Sequence, residues 1–262
     1  MRILFLGDIM GRAGRRAVAR WLPAVAEEQH IDFVVANGEN VAGGLGATAD
    51  TLRELKAAGV QAFTMGNHVW KHAEFAPALA EMPEVVRPAN YPAGAPGRGT
   101  AVLEAGGVAV GLVNVLGRVF MDPLDCPFRG ARAAVETLRA STPVVLVDVH
   151  AEATSEKMAL AWHLDGLCTA VVGTHTHVQT ADARVLPGGT GFITDAGMCG
   201  PLNSVIGMER GAVVERFLTG RPTRFQVAKG PLMFSAVVIE IDRESGQTEE
   251  IYPVLIREGI DE

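Results

Sequence analysis

The sequence predicts an α/β fold in which two packed sheets are flanked by helices, as one domain over residues 1–262. Three patterns carry that expectation. Short apolar runs alternate with helical patterns at the start, a Gly106-Gly107 pair joins two apolar runs in the middle, and the chain ends in strand-like sequence. Alternating units build parallel sheet and hairpins build antiparallel sheet; a chain that mixes them without a linker points to two sheets rather than one doubly wound sheet.

Ile3 to Leu6, Phe33 to Ala36 and Ala62 to Met65 read as buried strands. Ala17 to Glu28 and Thr51 to Ala58 between them are helical, giving β-α-β-α-β. In the first helix Ala17, Val18, Trp21, Leu22 and Val25 recur at helical spacing, so that stripe packs on the sheet, and Pro23 marks a place for a kink. Ala101 to Leu103 and Val108 to Val115 flank the paired glycines as a hairpin. A helix over Arg132 to Arg139, a strand over Val144 to Val149, a helix over Ser155 to Leu164 and a strand over Thr169 to Val172 follow. Leu232 to Ile241 and Glu250 to Leu255 close the chain as strands, and no linker, charge block or repeat divides it.

Hydrophobic residues at 48% and charged residues at 20% describe a globular chain without extended disorder. A net charge of −7 argues against a duplex nucleic-acid partner, which needs clustered Lys and Arg. An anionic small molecule stays open, because a bound cation can outweigh the protein's charge inside a site. Cys126, Cys168 and Cys199 are odd in number and widely spaced, so they are expected to be reduced and mostly buried. The opening apolar run is too short for a signal peptide and no stretch approaches the ~20 apolar residues of a membrane span, so no membrane association and a cytoplasmic location are expected. A homo-oligomer is compatible with all of this.

Polar residues cluster after five predicted strands: Asp8; Asn37-Gly38-Glu39-Asn40; Gly66-Asn67-His68; His150; and His175-Thr176-His177. Ligands bind α/β sheets outside the carboxyl ends of strands, so these loops can converge on one crevice. Carboxylate, amide and imidazole together suit iron, manganese or zinc, whereas an all-oxygen set would suit magnesium or calcium. Asp8, Glu39, Asn40, Asn67, His150, His175 and His177 exceed what one tetrahedral ion uses, and a carboxylate such as Glu39 can bridge two, so two ions are the economical reading.

Plainer roles compete for each residue. Asp8 can cap the following helix, Asn67 beside Gly66 suits a turn, and a lone His150 suits a hydrogen-bonded strand end. His175 and His177 make a stronger pair, because alternation along an extended segment sends both to one side. Asp148 and Glu152 could orient His150, but solvated or capping roles suit them better and they stay outside the expected site. His30, His72 and His163 lack the strand-end setting and are assigned to surface or packing.

GDIMGRAG, NGENVAGG, TMGNHVW, DVHAEATSEK, VVGTHTHVQTAD and TDAGMCGPLNSVIG, spread over nearly the whole chain, together resemble the YmdB-like branch of the calcineurin-like metallophosphoesterases. The resemblance implies a four-layer α/β/β/α sandwich, the metallo-dependent phosphatase fold, with a dinuclear centre at one edge. It implies hydrolysis of cyclic nucleotides, notably 2′,3′-cyclic mononucleotides such as 2′,3′-cAMP. One ion would take Asp8, Glu39, Asn40 and His177, the other Glu39, Asn67, His150 and His175, with Glu39 as bridge. Iron is the implied metal, divalent or mixed-valence, with manganese close behind. Two departures from the wider superfamily, Met10 where a histidine is usual and Glu39 where an aspartate is usual, both agree with this branch. Asn40 then supplies the ligand that Met10 cannot.

The expected chemistry is attack on phosphorus by a metal-bridging hydroxide, with His68, adjacent to Asn67 but not a ligand, as the acid that protonates the leaving oxygen. Three rival readings use the same residues: a phosphomonoesterase or nucleotidase; a nucleotide-sensing regulator whose turnover is incidental; and a purely structural metal site, against which the surplus of non-thiolate ligands and the unassigned His68 argue.

Overall fold

The structure is a computed structural model that describes residues 1–261. Its first sheet is built on parallel strands β1 (Arg2–Leu6), β3 (Phe33–Asn37), β4 (Ala62–Thr64) and β5 (Val85–Val86). Antiparallel β13 (Leu232–Ile241) flanks β1 and pairs along its length with β14 (Thr248–Arg257), while β2 (Asp8–Ile9) and β12 (Met198–Pro201) extend that edge. The second sheet runs β10 (Arg184–Val185), β11 (Gly191–Ile193), β9 (Ala170–Thr174), β8 (Val144–His150), β7 (Val108–Leu116), β6 (Thr100–Ala105). The expected hairpin is β6 and β7, paired antiparallel across Gly106-Gly107.

Period-two alternation sorts the apolar residues into three cores. Leu4, Leu6, Val34 and Phe63 face outward onto α1 (Gly11–Glu28), α2 (Ala49–Ala57) and α3 (Phe75–Glu81). Ile3, Phe5, Phe33 and Val35 face inward against Leu112, Leu146, Ala170 and Val172 of the second sheet. On the far side Val113, Val145, Val147 and Val171 meet α4 (Pro127–Arg139) and α5 (Thr154–Leu164). The result is the four-layer α/β/β/α sandwich that the motifs imply. A sixth helix, α6 (Arg210–Thr219), buries only Val213.

Two helices, α1 and α4, start more than a turn earlier than their apolar periodicity predicts. In α1 the buried stripe continues back from Ala17 through Gly14 and Gly11, residues that carry no hydrophobic signal. Gly14 is required there, because a Cβ would stand 2.4 Å from the Cys199 carbonyl oxygen on β12. The helix runs on through Pro23. In α4 the start is Pro127, whose fixed φ suits a first turn.

The inter-sheet core changes character at one end. Inward residues run Phe33, Val35, Asn37 on β3, Ala62, Thr64 on β4, Val144, Leu146, Asp148, His150 on β8, and Ala170, Val172, Thr174 on β9. The apolar filling thus gives way to buried polar groups at the carboxyl ends of the parallel strands. Cys168 and Cys199 are buried, Cys126 is partly exposed, and all three are free. No helix among the described residues is long and apolar enough to cross a membrane.

Candidate metal centre

All eight residues picked from sequence meet at this polar end. Asp8 opens β2 and does not cap α1, whose N-cap is Met10 with no side-chain cap bond. Its Oδ2 instead accepts from the His175 amide at 3.0 Å. Glu39 and Asn40 follow β3, where the Asn37 side-chain oxygen accepts from the Glu39 amide at 3.1 Å and shapes the turn. Asn67 and His68 follow β4, His150 ends β8, and His175 and His177 follow β9.

Two groups form around Glu39. His150 Nε2 lies 3.0 Å from His175 Nδ1, 3.1 Å from Asn67 Oδ1 and 3.3 Å from Glu39 Oε1. His177 Nε2 lies 3.5 Å from Asp8 Oδ1 and 3.3 Å from Asn40 Nδ2, which donates to Glu39 Oε1 at 3.1 Å. In this orientation Asn40 turns its oxygen to His68 Nδ1 at 2.8 Å, and a half-turn of the amide exchanges the two ends. His68 Nδ1 also lies 3.0 Å from Glu39 Oε1, and its amide donates to Glu39 Oε2 at 3.0 Å.

Three observations fit this cluster to divalent cations. Asp8 Oδ1 is fully buried and no hydrogen-bond donor reaches it among the described residues. Glu39, His150 and His175 bring ligand atoms within 4.8 Å of one another, and imidazole nitrogen with carboxylate oxygen suits a borderline ion. Gly66 leaves the space open: a Cβ there would stand 2.2 Å from Glu39 Oε2 and 2.4 Å from His150 Nε2.

Each imidazole is held so that one nitrogen faces the cluster. The Thr174 hydroxyl donates to Asp148 Oδ1 at 2.7 Å, so its oxygen accepts from His150 Nδ1 at 2.9 Å and Nε2 is turned toward the site. His177 Nδ1 donates to the Ile206 carbonyl at 2.9 Å, freeing Nε2. His175 Nε2 meets Glu152 Oε2 at 3.1 Å, freeing Nδ1. Asp148 and Glu152, set aside in the sequence, therefore orient two of the three histidines. Asp148 is no solvated residue: it is fully buried, and burial pushes its carboxyl up to about 6. Burial also opposes charge on His150, but the Glu39 carboxylate outweighs it and lifts the imidazole to about 9. Burial and then the charge on His150 push His175 down to about 4.

The alternation expected of His175 and His177 fails, although both reach the site. β9 ends at Thr174, and the two histidines have φ of 96° and 64°, in the left-handed region that side chains other than glycine rarely adopt. What holds the turn is Asp195, whose Oδ2 accepts from the Thr176 amide at 3.1 Å, the Thr176 hydroxyl at 2.6 Å and Lys157 Nζ at 2.7 Å. Lys157 and Asp195 are both buried. Removing one partner of such a pair leaves an uncompensated charge, so Lys157→Ala is expected to cost ~3–5 kcal/mol in urea unfolding. A loss below ~1 kcal/mol would mean that Thr176, together with the Gly197 amide that donates to Asp195 Oδ1 at 2.8 Å, satisfies Asp195 without Lys157.

Asn37, Asp148, Thr174, Lys157 and Asp195 are thus the supporting residues that were missed. Asn37, Asp148 and Thr174 carried a signal, since each falls on the inward face of its strand. The other histidines stay apart: His30 takes a left-handed turn after α1, His72 bonds the Leu45 carbonyl, and His163 packs edge-on against Phe128.

Comparison with known proteins agrees with this architecture. The family model for the YmdB-like protein matches residues 4–254. A 2′,3′-cyclic-nucleotide 2′-phosphodiesterase of Bacillus subtilis (strain 168) is 45% identical over 258 residues, 98% of either chain. The crystal structure of a hypothetical protein from Thermus thermophilus matches with a TM-score of 0.92 at 49% identity, covering 98% of this chain and 99% of that one. A phosphatase structure from Mycoplasma pneumoniae matches with a TM-score of 0.92 at 32% identity, covering 98% of this chain and 93% of that one. On a match that spans almost its entire length, this chain belongs to the YmdB-like protein family.

Proposed function

We propose that this protein is a dinuclear metal-dependent phosphodiesterase that opens 2′,3′-cyclic mononucleotides to ribose monophosphates. The observation that carries the reading is Glu39, which touches both ligand groups at once and has His68 beside it. Asp8, Asn40 and His177 would hold one cation, Asn67, His150 and His175 the other, and Glu39 both. Cations there, iron first and manganese or zinc next, lower the pKa of water towards ~7 and offset charge on phosphoryl oxygens.

The chain's own residues supply the rest. Asp148 and Thr174, Glu152, and the Ile206 carbonyl fix the three imidazoles, so no ligand has to reorganise during turnover. His68 Nδ1 is taken up by Asn40 and Glu39, so Nε2 is the nitrogen from which a proton passes to the leaving ribose oxygen. Water adds across the broken P–O bond, its hydroxyl to phosphorus and a proton to the ribose. The 45% identical relative named for this reaction supports the substrate. The three free cysteines favour a cytoplasmic location.

The test is hydrolysis of 2′,3′-cAMP, 3′,5′-cAMP, bis(p-nitrophenyl) phosphate and p-nitrophenyl phosphate by metal-free protein refilled with iron, manganese or zinc. The expected result is metal-dependent turnover of 2′,3′-cAMP above the other three. Preference for the monoester would replace this reading with a phosphomonoesterase.

A further inference from the structure

The metal cluster lies at one end of a cavity of about 610 Å³, a volume suited to a mononucleotide. Glu39, Asn40, His68 and His177 line the end near the ions, and the opposite wall is apolar. That wall comes from α6 and the loops beside it: Ile206, Val213, Phe217 and Phe225, with Arg216 among them. None of it belongs to the metal centre. Phe217 is 85% exposed although it lines the cavity, and the Arg216 guanidinium lies over the Phe225 ring at 5.3 Å from its centroid. Aromatic faces with a stacked guanidinium are the surface on which a heterocyclic base binds.

We propose that this wall is the nucleobase subsite, with the base stacked against Phe217 and Phe225 and Arg216 at its edge. The assignment rests on the phosphodiesterase reading in one respect. His68 must face the leaving ribose oxygen, and the base hangs from the same sugar ring, so it has to lie on the His68 side of the cluster. The cavity on the other side is smaller, about 330 Å³, and is lined by Asn67, Phe120, Met121, Asp122 and His175 without His68. It cannot receive the nucleoside while His68 serves the leaving group.

The wall is also tied to the metal centre through one residue. The Ile206 carbonyl fixes His177 while its side chain lines the cavity, and its own φ is 47°. A base settling on this wall therefore presses on the loop that orients a metal ligand.

The experiment compares Phe217→Ala and Phe225→Ala with the parent on two cyclic diesters of the same ring size, 2′,3′-cAMP and glycerol 1,2-cyclic phosphate, which has no base. Affinity for adenosine 3′-monophosphate is measured alongside by calorimetry. The expected result is a fall in kcat/KM for 2′,3′-cAMP, mostly through KM, that exceeds the fall for glycerol 1,2-cyclic phosphate by roughly 5- to 100-fold, the scale of stacking on one aromatic ring. Adenosine 3′-monophosphate should weaken in proportion. Equal losses on both diesters, or unchanged nucleotide affinity, would overturn the subsite. If the parent hydrolyses neither diester, the phosphodiesterase reading fails, and weaker nucleotide binding by the variants would still support the subsite.

Discussion

Glu39→Gln is expected to release both cations and to lower diester turnover by at least ~10³-fold, since several kcal/mol of transition-state charge stabilisation leave with the ions. The substitution keeps the shape of the side chain and removes its charge. In the native site Glu39 Oε1 lies 3.3 Å from His150 Nε2 and 3.1 Å from Asn40 Nδ2, so one carboxylate serves both ligand groups. An amide offers a single neutral oxygen and cannot face both as an anion. Metal content by elemental analysis is the primary readout. A protein that keeps its full complement of metal would rule out the bridge. Loss from only one group would mean that Glu39 belongs to a single ion.

His68→Ala should separate from Glu39→Gln in the same assay. It is expected to retain its metal and lose ~10²–10⁴-fold in kcat, the scale of a missing general acid. Its ring meets Asn40 and Glu39 through Nδ1 and bonds none of His150, His175 and His177, so truncation should leave those three and their partners in place. The loss should be smallest on bis(p-nitrophenyl) phosphate, whose leaving group is a good one and needs little protonation. Unchanged kcat on 2′,3′-cAMP would take His68 out of the reaction. Metal loss would make it a structural support of Asn40.

The parallel strands β1, β3, β4, β8 and β9 and the hairpin were legible because each buries a continuous or alternating apolar run. Several of the elements that escaped exist only by tertiary pairing. β2 has two residues, and β12 reads Met-Cys-Gly-Pro, which looks like a turn until Asp8 and Ile9 pair with it. α6 escaped because its Val214, Phe217 and Leu218 point to solvent, so no apolar stripe marks it. The site residues were legible as strand-end polar clusters, but the local geometry was not. His175 and His177 reach the cluster through left-handed turns held by Asp195, a residue twenty positions on from His175 whose relation to them no spacing rule exposes. Asp148 was the avoidable miss: it shares a face with Leu146 and His150, and that parity alone puts it between the sheets.

The proposed ligand set draws from both halves of the sandwich. Asp8, Glu39, Asn40 and Asn67 hang from the first sheet, while His150, His175 and His177 hang from the second. Between those layers most of the cohesion is apolar contact, which resists separation but tolerates small sliding. A cation held as proposed would be gripped from both sides and would act as a rivet at the polar end, where such contact is missing. On the proposed ligand assignment, part of its binding free energy would then appear as alignment of one sheet against the other.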